Sequence, residues 1–309
     1  MLNVLAQNIP WLLGGSADLG SSNKTLLTFD GAGDFEPGSY GGRNLHFGIR
    51  EHAMAAAVNG LSLSKLRAFG ATFFIFSDYA RPAIRLSALM ELPTIFVFTH
   101  DAMGDGEDGP THQPVEQLAS FRAEPGLVVL RPADANEVVE AYRYIMQLRH
   151  KPAMLALSRQ PLPTLDRSKY APASGVARGA YVLADPPSGK PEVILIASGS
   201  EVSLCIDAHE RLRAEGIRSR VVSMPSWDIF EDQTQDYRDS VLPPDVTARV
   251  AVEQASTFGW ERYVGQSGRI LGMKTFGASA PLKELLRKYR FEPERVGEVV
   301  KELLGKKKN

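Results

Sequence analysis

Short runs of consecutive apolar residues alternate along this chain with apolar residues at helical spacing. Thr94-Ile95-Phe96-Val97-Phe98-Thr99 is rich in β-branched and aromatic residues, which predicts a buried strand. Leu127-Val128-Val129-Leu130 and Met154-Leu155-Ala156-Leu157 predict two more. Between these, Asp134-Ala135-Asn136-Glu137 has the spacing of a capping box. Val138, Val139, Tyr142, Ile145 and Met146 then recur at helical spacing up to His150. Trp11-Leu12-Leu13 runs into Gly14-Gly15, where a further strand is expected to turn. Continuous apolar strands separated by helices imply a parallel sheet covered on both faces. Met1 to Ile9 predicts a helix stopped by Pro10, with no capping residue ahead of it, as if the chain were cut inside an element.

The stretch from Arg159 to Pro191 breaks the rhythm with Pro161, Pro163, Gly175, Gly179, Pro186, Pro187 and Gly189, and reads as a domain connection. A second α/β unit follows. Val193-Ile194-Leu195-Ile196-Ala197 predicts a strand, and Glu201 to Glu215 a helix closed by Gly216. Arg220 to Met224, Ala248 to Val252 and Arg269 to Met273 predict further strands, and Pro281 to Tyr289 and Glu294 to Leu304 helices. The expected fold class is therefore α/β: two consecutive parallel-sheet α/β domains with helices on both faces. Their expected bounds are 1–160 and 191–309, joined by a linker at 161–190.

Composition adds limits. The 309 residues are 44 % hydrophobic and 23 % charged, with a net charge of −1. That balance supports two packed cores and offers no overall field for nucleic acid or an anionic membrane. The single cysteine, Cys205, excludes an internal disulfide framework and fits a reducing cytosol. The chain opens with no basic segment followed by a long apolar run, and carries no membrane span. The terminal Lys306-Lys307-Lys308 reads as a solvated end rather than a binding patch.

Against this near-neutral background one loop stands out. His100-Asp101-Ala102-Met103-Gly104-Asp105-Gly106-Glu107-Asp108-Gly109-Pro110-Thr111-His112 holds two of the six histidines and four acidic side chains directly after a predicted strand. Strand carboxyl ends are where parallel sheets receive ligands. Three chemistries compete for the loop. One is a metal site from His100, Asp101, Asp108 and His112, although their spacing matches no standard pattern. Another is the Gly104-Asp105-Gly106 run with Asn136, similar to a diphosphate-and-magnesium motif. The third is direct substrate handling by the histidines and Asp108. Elsewhere, Glu51 opens an alanine-rich helix after Gly48-Ile49-Arg50, where a carboxyl either complements the helix dipole or meets a ligand. Phe73, Phe76 and Tyr79 recur at three-residue spacing, as core residues or as the wall of a pocket for a flat ring. Gly14 to Leu19 form another strand-end turn.

Taken together, "GGSADLGSSN", "FGIREHAM", "ATFFIFSDYA" and "THDAMGDGEDGPTHQPVEQLASFR" resemble the transketolase family. "RPADANEVVEAY", "LSRQ", "ASGSEV", "VVSMP" and "TFGASAP" extend the resemblance over essentially the whole chain. The matching parts are the family's pyrimidine-binding and C-terminal domains. Its diphosphate-binding domain, with a divalent metal (Mg or Ca), would lie upstream, so no metal ligand is assigned to this chain. In the family the position of Asp105 varies, which makes the Gly-Asp-Gly run a coincidence.

The resemblance implies thiamine diphosphate as cofactor and transfer of a two-carbon ketol unit from a ketose phosphate to an aldose phosphate. It implies that Glu51 hydrogen-bonds the aminopyrimidine ring, that Phe73, Phe76 and Tyr79 wall it, and that Asp18, Leu19 and Ile49 neighbour it. It implies that Ser22, His100, Asp108, His112 and Arg159 contact substrate: His112 the donor's hydroxyl and carbonyl end, His100 and Ser22 the sugar phosphate, Asp108 a 2-hydroxyl, and Arg159 a phosphate. Glu51 and His112 are the expected catalytic pair. The implied partners are sugar phosphates, a second copy forming a homodimer with the active site at the interface, and an N-terminal half. The abrupt start leads us to expect a truncated or proteolysed chain, inactive alone; an independently encoded subunit is the alternative. In the second domain, Ser200 is expected to cap the helix after Ala197-Ser198-Gly199, and Cys205 to be core. Rival readings are the β subunit of a 2-oxoacid dehydrogenase's first component, deoxyxylulose phosphate synthase, and a non-catalytic dimerisation fragment.

Overall fold

The structure is a computed structural model that describes residues 1–306; the lysines at 307 and 308 lie outside the described residues. The first unit is built from α1 (Leu2–Asn8), β1 (Leu12–Ser16), α2 (Gly20–Asn23), β2 (Asn44–His46), α3 (Glu51–Leu63), β3 (Arg67–Phe73), α4 (Ser77–Leu89), β4 (Ile95–Thr99), α5 (Gln117–Arg122), β5 (Val128–Leu130), α6 (Ala135–Ile145) and β6 (Ala153–Leu157). Its six strands run parallel in the order β2-β1-β3-β4-β6-β5. The predicted apolar runs at Ile95 and Met154 are interior strands of this sheet, buried along almost their whole length. That follows from a sheet covered on both faces, which leaves no polar side to alternate with.

Gly14 and Gly15 lie inside β1, not beyond it, so the strand runs on to Ser16. The close pairing with β2 requires this: a Cβ on Gly15 would stand 1.7 Å from the Leu45 carbonyl oxygen. The capping box before α6 is present in altered form. Asp134 accepts from the Glu137 N–H at 2.8 Å, but Glu137 reaches back to the Ala133 N–H at 2.8 Å, one residue further than the simple motif.

The second unit comprises β7 (Tyr181–Ala184), β8 (Val193–Ala197), α7 (Glu201–Ala214), β9 (Ser219–Ser223), α8 (Trp227–Glu231), α9 (Gln235–Val241), β10 (Arg249–Ser256), α10 (Glu261–Val264), β11 (Arg269–Met273), α11 (Leu282–Lys288) and α12 (Pro293–Leu303). Its sheet order is β11-β10-β8-β9-β7. The α/β expectation holds, with one difference from an all-parallel sheet: β7 joins antiparallel at the edge. This strand lies within the stretch read as a linker. Tyr181 and Leu183 are buried by it. Ser200 does not cap α7; its hydroxyl donates instead to Glu201.

One apolar cluster runs through both units, from Leu155 and Ile145 to Leu195 and Val221. A buried polar clamp joins them as well. Arg131, just after β5, donates from Nε to Asp101 Oδ2 at 2.7 Å and from Nη1 to the Ser198 carbonyl at 2.8 Å. It also pairs with Glu201. Arg122 grips Glu253 with two bonds of 2.7 and 2.8 Å, a geometry that suits a planar guanidinium. Gly199 has φ +56, and a Cβ there would sit 2.6 Å from the Arg131 Cζ, so both the turn and the arginine require glycine.

Candidate active site

The carboxyl ends of β1, β3 and β4 meet where the chain order reverses, the position at which open parallel sheets receive ligands. Glu51 opens α3 here and is 6 % exposed. Thr72 of β3 donates to its Oε1 at 3.2 Å. The next residue along β3 starts an aromatic wall. Phe73 and Phe76 stack with centroids 6.0 Å apart and an 11° tilt, and Tyr79 stands 6.3 Å from Phe76. A single 3-10 turn, Phe74–Phe76, separates β3 from α4. Its three-residue period puts positions 73, 76 and 79 on one side.

The loop after β4 meets this wall. The His100 ring stacks on Phe73 at 3.7 Å between centroids. The His112 ring stands edge-on to Phe76 at 5.5 Å and to Phe73 at 6.5 Å. His100 is held by a buried chain of hydrogen bonds. Ser16 Oγ donates to Asn23 Oδ1 at 2.7 Å, and Asn23 Nδ2 donates to Thr99 Oγ1 at 2.7 Å. Thr99 Oγ1 lies 2.8 Å from His100 Nδ1. When Thr99 donates to Nδ1, the neutral imidazole carries its proton on Nε2, toward the loop. Burial, and then the Arg159 charge, hold the His100 pKa down at about 4, so the ring is neutral at pH 7.

Around Nε2 the loop places charged groups. Asp105 Oδ1 lies 3.6 Å from His100 Nε2 and 3.9 Å from Arg159 Nε. Burial, and then the Asp108 charge, push the Asp105 carboxyl up to about 7. Asp108 and Arg159 themselves are exposed. The second unit braces the loop. Gln113 Nε2 donates to the carbonyls of Gly106 and Ala278, both at 3.0 Å, and accepts from the Ala278 N–H at 3.1 Å. Ser279 Oγ donates to the Glu107 carbonyl.

Two site residues carry backbone strain: His100 has φ +63 and Asp18 φ +61. Neither is glycine, and such conformations concentrate at ligand sites. Asp18 lines a cleft of about 210 Å³ together with Ser16, Asn44, His46 and Gly48. Leu19 is half-buried beside it, and Ser22 is exposed next to the buried Asn23. Ile49 and Tyr79 are 80 % and 66 % exposed; within one chain they face outward rather than into the cluster. Among the described residues no group of three or more His, Cys, Asp or Glu is placed to hold a metal ion. Asn136 lies apart from the loop, its amide donating to the Leu165 carbonyl at 3.4 Å. Cys205 is fully buried and its thiol pKa is raised by that burial. Sequence reasoning missed Asn23, Thr72, Asp105 and Arg131. Asn23 and Thr72 adjoin or lie within the quoted motifs, but nothing local in the sequence says which polar side chain turns inward.

A two-unit α/β chain whose first unit joins a buried glutamate, an aromatic wall and a histidine loop matches two family profiles. "Transketolase, pyrimidine binding domain" covers residues 1–164, and "Transketolase-like TK C-terminal domain" covers residues 179–292. The chain belongs to the transketolase family. It is 54 % identical to the transketolase of Geobacillus stearothermophilus over 307 residues, which is 99 % of this chain and 46 % of that relative. It is 50 % identical to that of Aquifex aeolicus, over 97 % of this chain and 43 % of the relative. The transketolase structure from Leishmania mexicana superposes with a TM-score of 0.92 at 44 % identity, covering 98 % of this chain and 44 % of that one. A Pichia stipitis transketolase in complex with sedoheptulose 7-phosphate gives a TM-score of 0.90 at 42 % identity, over 99 % of this chain and 45 % of that one. The chain thus spans about half the length of the curated relatives it matches. A "split gene transketolase, inactive beta4 tetramer" shares the fold at 24 % identity and a TM-score of 0.78, covering 99 % of this chain and 96 % of that one.

Proposed function

We propose that this chain supplies the pyrimidine-binding and C-terminal parts of an enzyme that transfers a two-carbon ketol unit from a ketose phosphate to an aldose phosphate. The observation that carries the reading is the junction of Glu51, Thr72, Phe73 and His100: a buried carboxyl, a stacked wall and a neutral imidazole in unbroken succession. The residues fit thiamine diphosphate. Phe73 and Phe76 present near-parallel rings suited to a flat heterocycle, and Glu51 is a buried carboxyl held by a single threonine. When bound, the cofactor supplies a nucleophilic carbon and an electron sink.

Glu51 hydrogen-bonds the pyrimidine ring, and Asp18, Leu19, Ile49 and Tyr79 shape the surrounding walls. His100, with its proton on Nε2, donates to a sugar or phosphate oxygen. His112 orients the donor's hydroxyl and carbonyl end, Asp108 accepts from a 2-hydroxyl, and Ser22 and Arg159 bind phosphate. A divalent cation, Mg or Ca, and the diphosphate belong to a separate N-terminal half with which this chain works. The outward Ile49 and Tyr79, together with exposed Leu63, Leu86 and Leu89 on α3 and α4, suit a homodimer whose active site lies between subunits. A reducing, cytoplasmic setting suits Cys205. Among the described residues no helix is long and apolar enough to cross a membrane.

The test is ketol transfer measured with and without a diphosphate-binding half. Transfer that needs both parts supports the reading. Transfer of a 2-oxoacid-derived acyl group instead, with no use of sugar phosphates, would favour the dehydrogenase alternative.

A further inference from the structure

Asp105 is the one carboxyl among the described residues with both oxygens buried and without a hydrogen-bond donor. Its side chain is 0 % exposed. Burying a polar group unpaired costs stability, and a native protein that keeps one calls for an explanation. Its charged neighbours supply one: His100 Nε2 at 3.6 Å and Arg159 Nε at 3.9 Å. Both are donors just out of hydrogen-bonding range, and both are the groups assigned above to the sugar phosphate.

We propose that Asp105 is a positioning residue that sets how firmly His100 and Arg159 hold a phosphorylated sugar, by competing for their N–H donors whenever it is ionised. This rests on the phosphate role assigned to Arg159 in the proposed function. With its proton on, Asp105 makes no claim on either donor, and both turn to substrate. With its proton off, the carboxylate draws in the Arg159 Nε–H and the His100 Nε2–H and repels a phosphate dianion. Arg159 is 54 % exposed, so its fork has freedom to swing between the two anions.

The charges that face Asp105 decide the pH at which the exchange occurs. Burial comes first and raises its pKa, Asp108 and Asp101 raise it further, and Arg159 opposes them, for a value of about 7. The neighbouring His100 is neutral over this range. From α11, which packs against the same loop, Lys283, Glu284 and Arg287 are not among the groups that shift it. A raised carboxyl is neutral below about pH 7 and anionic above it. Affinity for a phosphorylated sugar therefore falls as pH rises through that value. The substrate phosphate, with a second dissociation near 6, becomes more anionic over part of the same range, and that effect is common to wild type and variants.

The experiment compares wild type, Asp105→Asn and Asp105→Leu in the assembled enzyme with thiamine diphosphate and magnesium. It measures KM for xylulose 5-phosphate and for unphosphorylated xylulose from pH 6 to 8.5. The expected result is a wild-type KM for the phosphate ester that rises about tenfold relative to both variants, the factor that one pK unit of linkage gives. KM for the unphosphorylated sugar should change much less. Parallel profiles for the phosphate ester in all three proteins would overturn the proposal. A second readout needs no turnover: in this chain alone, the His100 ring resonances should show an inflection near pH 7 that Asp105→Asn abolishes, and its absence in wild type would equally overturn it. An assembled wild type without ketol transfer, but with that inflection, would instead count against the proposed function.

Discussion

The imidazole of His100 lies stacked on the ring of Phe73, 3.7 Å between centroids and 25° from parallel. One contact therefore couples the wall that would face a cofactor ring to the loop that would hold a sugar. The stacked ring is also part of what keeps water from the imidazole, whose pKa is held near 4 chiefly by burial. Phe73→Ala should expose it and move that value up toward the ordinary 6.5. A proton NMR titration of the ring in an Asp105→Asn background checks this: without Phe73→Ala the ring is expected to stay neutral from pH 8 down to 5, and with it to titrate within that range. The linkage has a sign. A histidine with a lowered pKa contributes stability that is present above 6.5 and lost as pH falls through 4.

The Ser16–Asn23–Thr99 chain of buried hydrogen bonds ends on His100 Nδ1. Asn23→Ala leaves buried hydroxyls without their partner, at a cost of about 1–3 kcal/mol. It also releases Thr99 to donate or accept. Denaturant unfolding reads the first effect. Nitrogen-15 shifts of the imidazole read the second, as a loss of the single Nε2–H form.

The clamp between the units makes a separate prediction. Burial alone would push the Glu253 carboxyl up, but Arg122 and then Arg131 hold it down at about 2. That lowered value contributes stability present above 4.5 and lost as pH falls through 2. Arg131→Met strands Asp101, Glu201 and part of Glu253 as buried acids. Unfolding experiments at pH 7 should show a loss of about 3–5 kcal/mol. Because Asp101 adjoins His100, a smaller loss of sugar-phosphate affinity should accompany it.

Much of this architecture is legible in the sequence, and the limits have physical causes. Runs such as Ile95–Thr99 and Val193–Ala197 are uniformly apolar because both faces of their sheets are covered. β1 and β2 were harder to see. β1 carries Gly14 and Gly15, which pack by backbone contact rather than by side chain, and β2 has only three residues, Asn44–His46. Edge strand β7 lay hidden among prolines and glycines. The histidine loop announced itself through composition. The partners that orient it did not: Asn23 reaches Thr99 across 76 positions and Arg131 reaches Glu201 across 70. Such pairings depend on topology, which no local pattern encodes. Asp105 sits in a run that matches a diphosphate motif only by chance, and its burial without a donor is visible only in three dimensions.

The account stands most directly on Glu51, the buried acid that adjoins the aromatic wall. The decisive measurement is the steady-state rate of ketol transfer from a ketose phosphate to an aldose phosphate by this chain assembled with a diphosphate-binding half, comparing wild type with Glu51→Gln. Loss of the positioned carboxyl predicts a fall in kcat of about 10²–10⁴-fold, with folding unchanged by circular dichroism. A variant that keeps wild-type turnover while binding thiamine diphosphate normally would contradict the account.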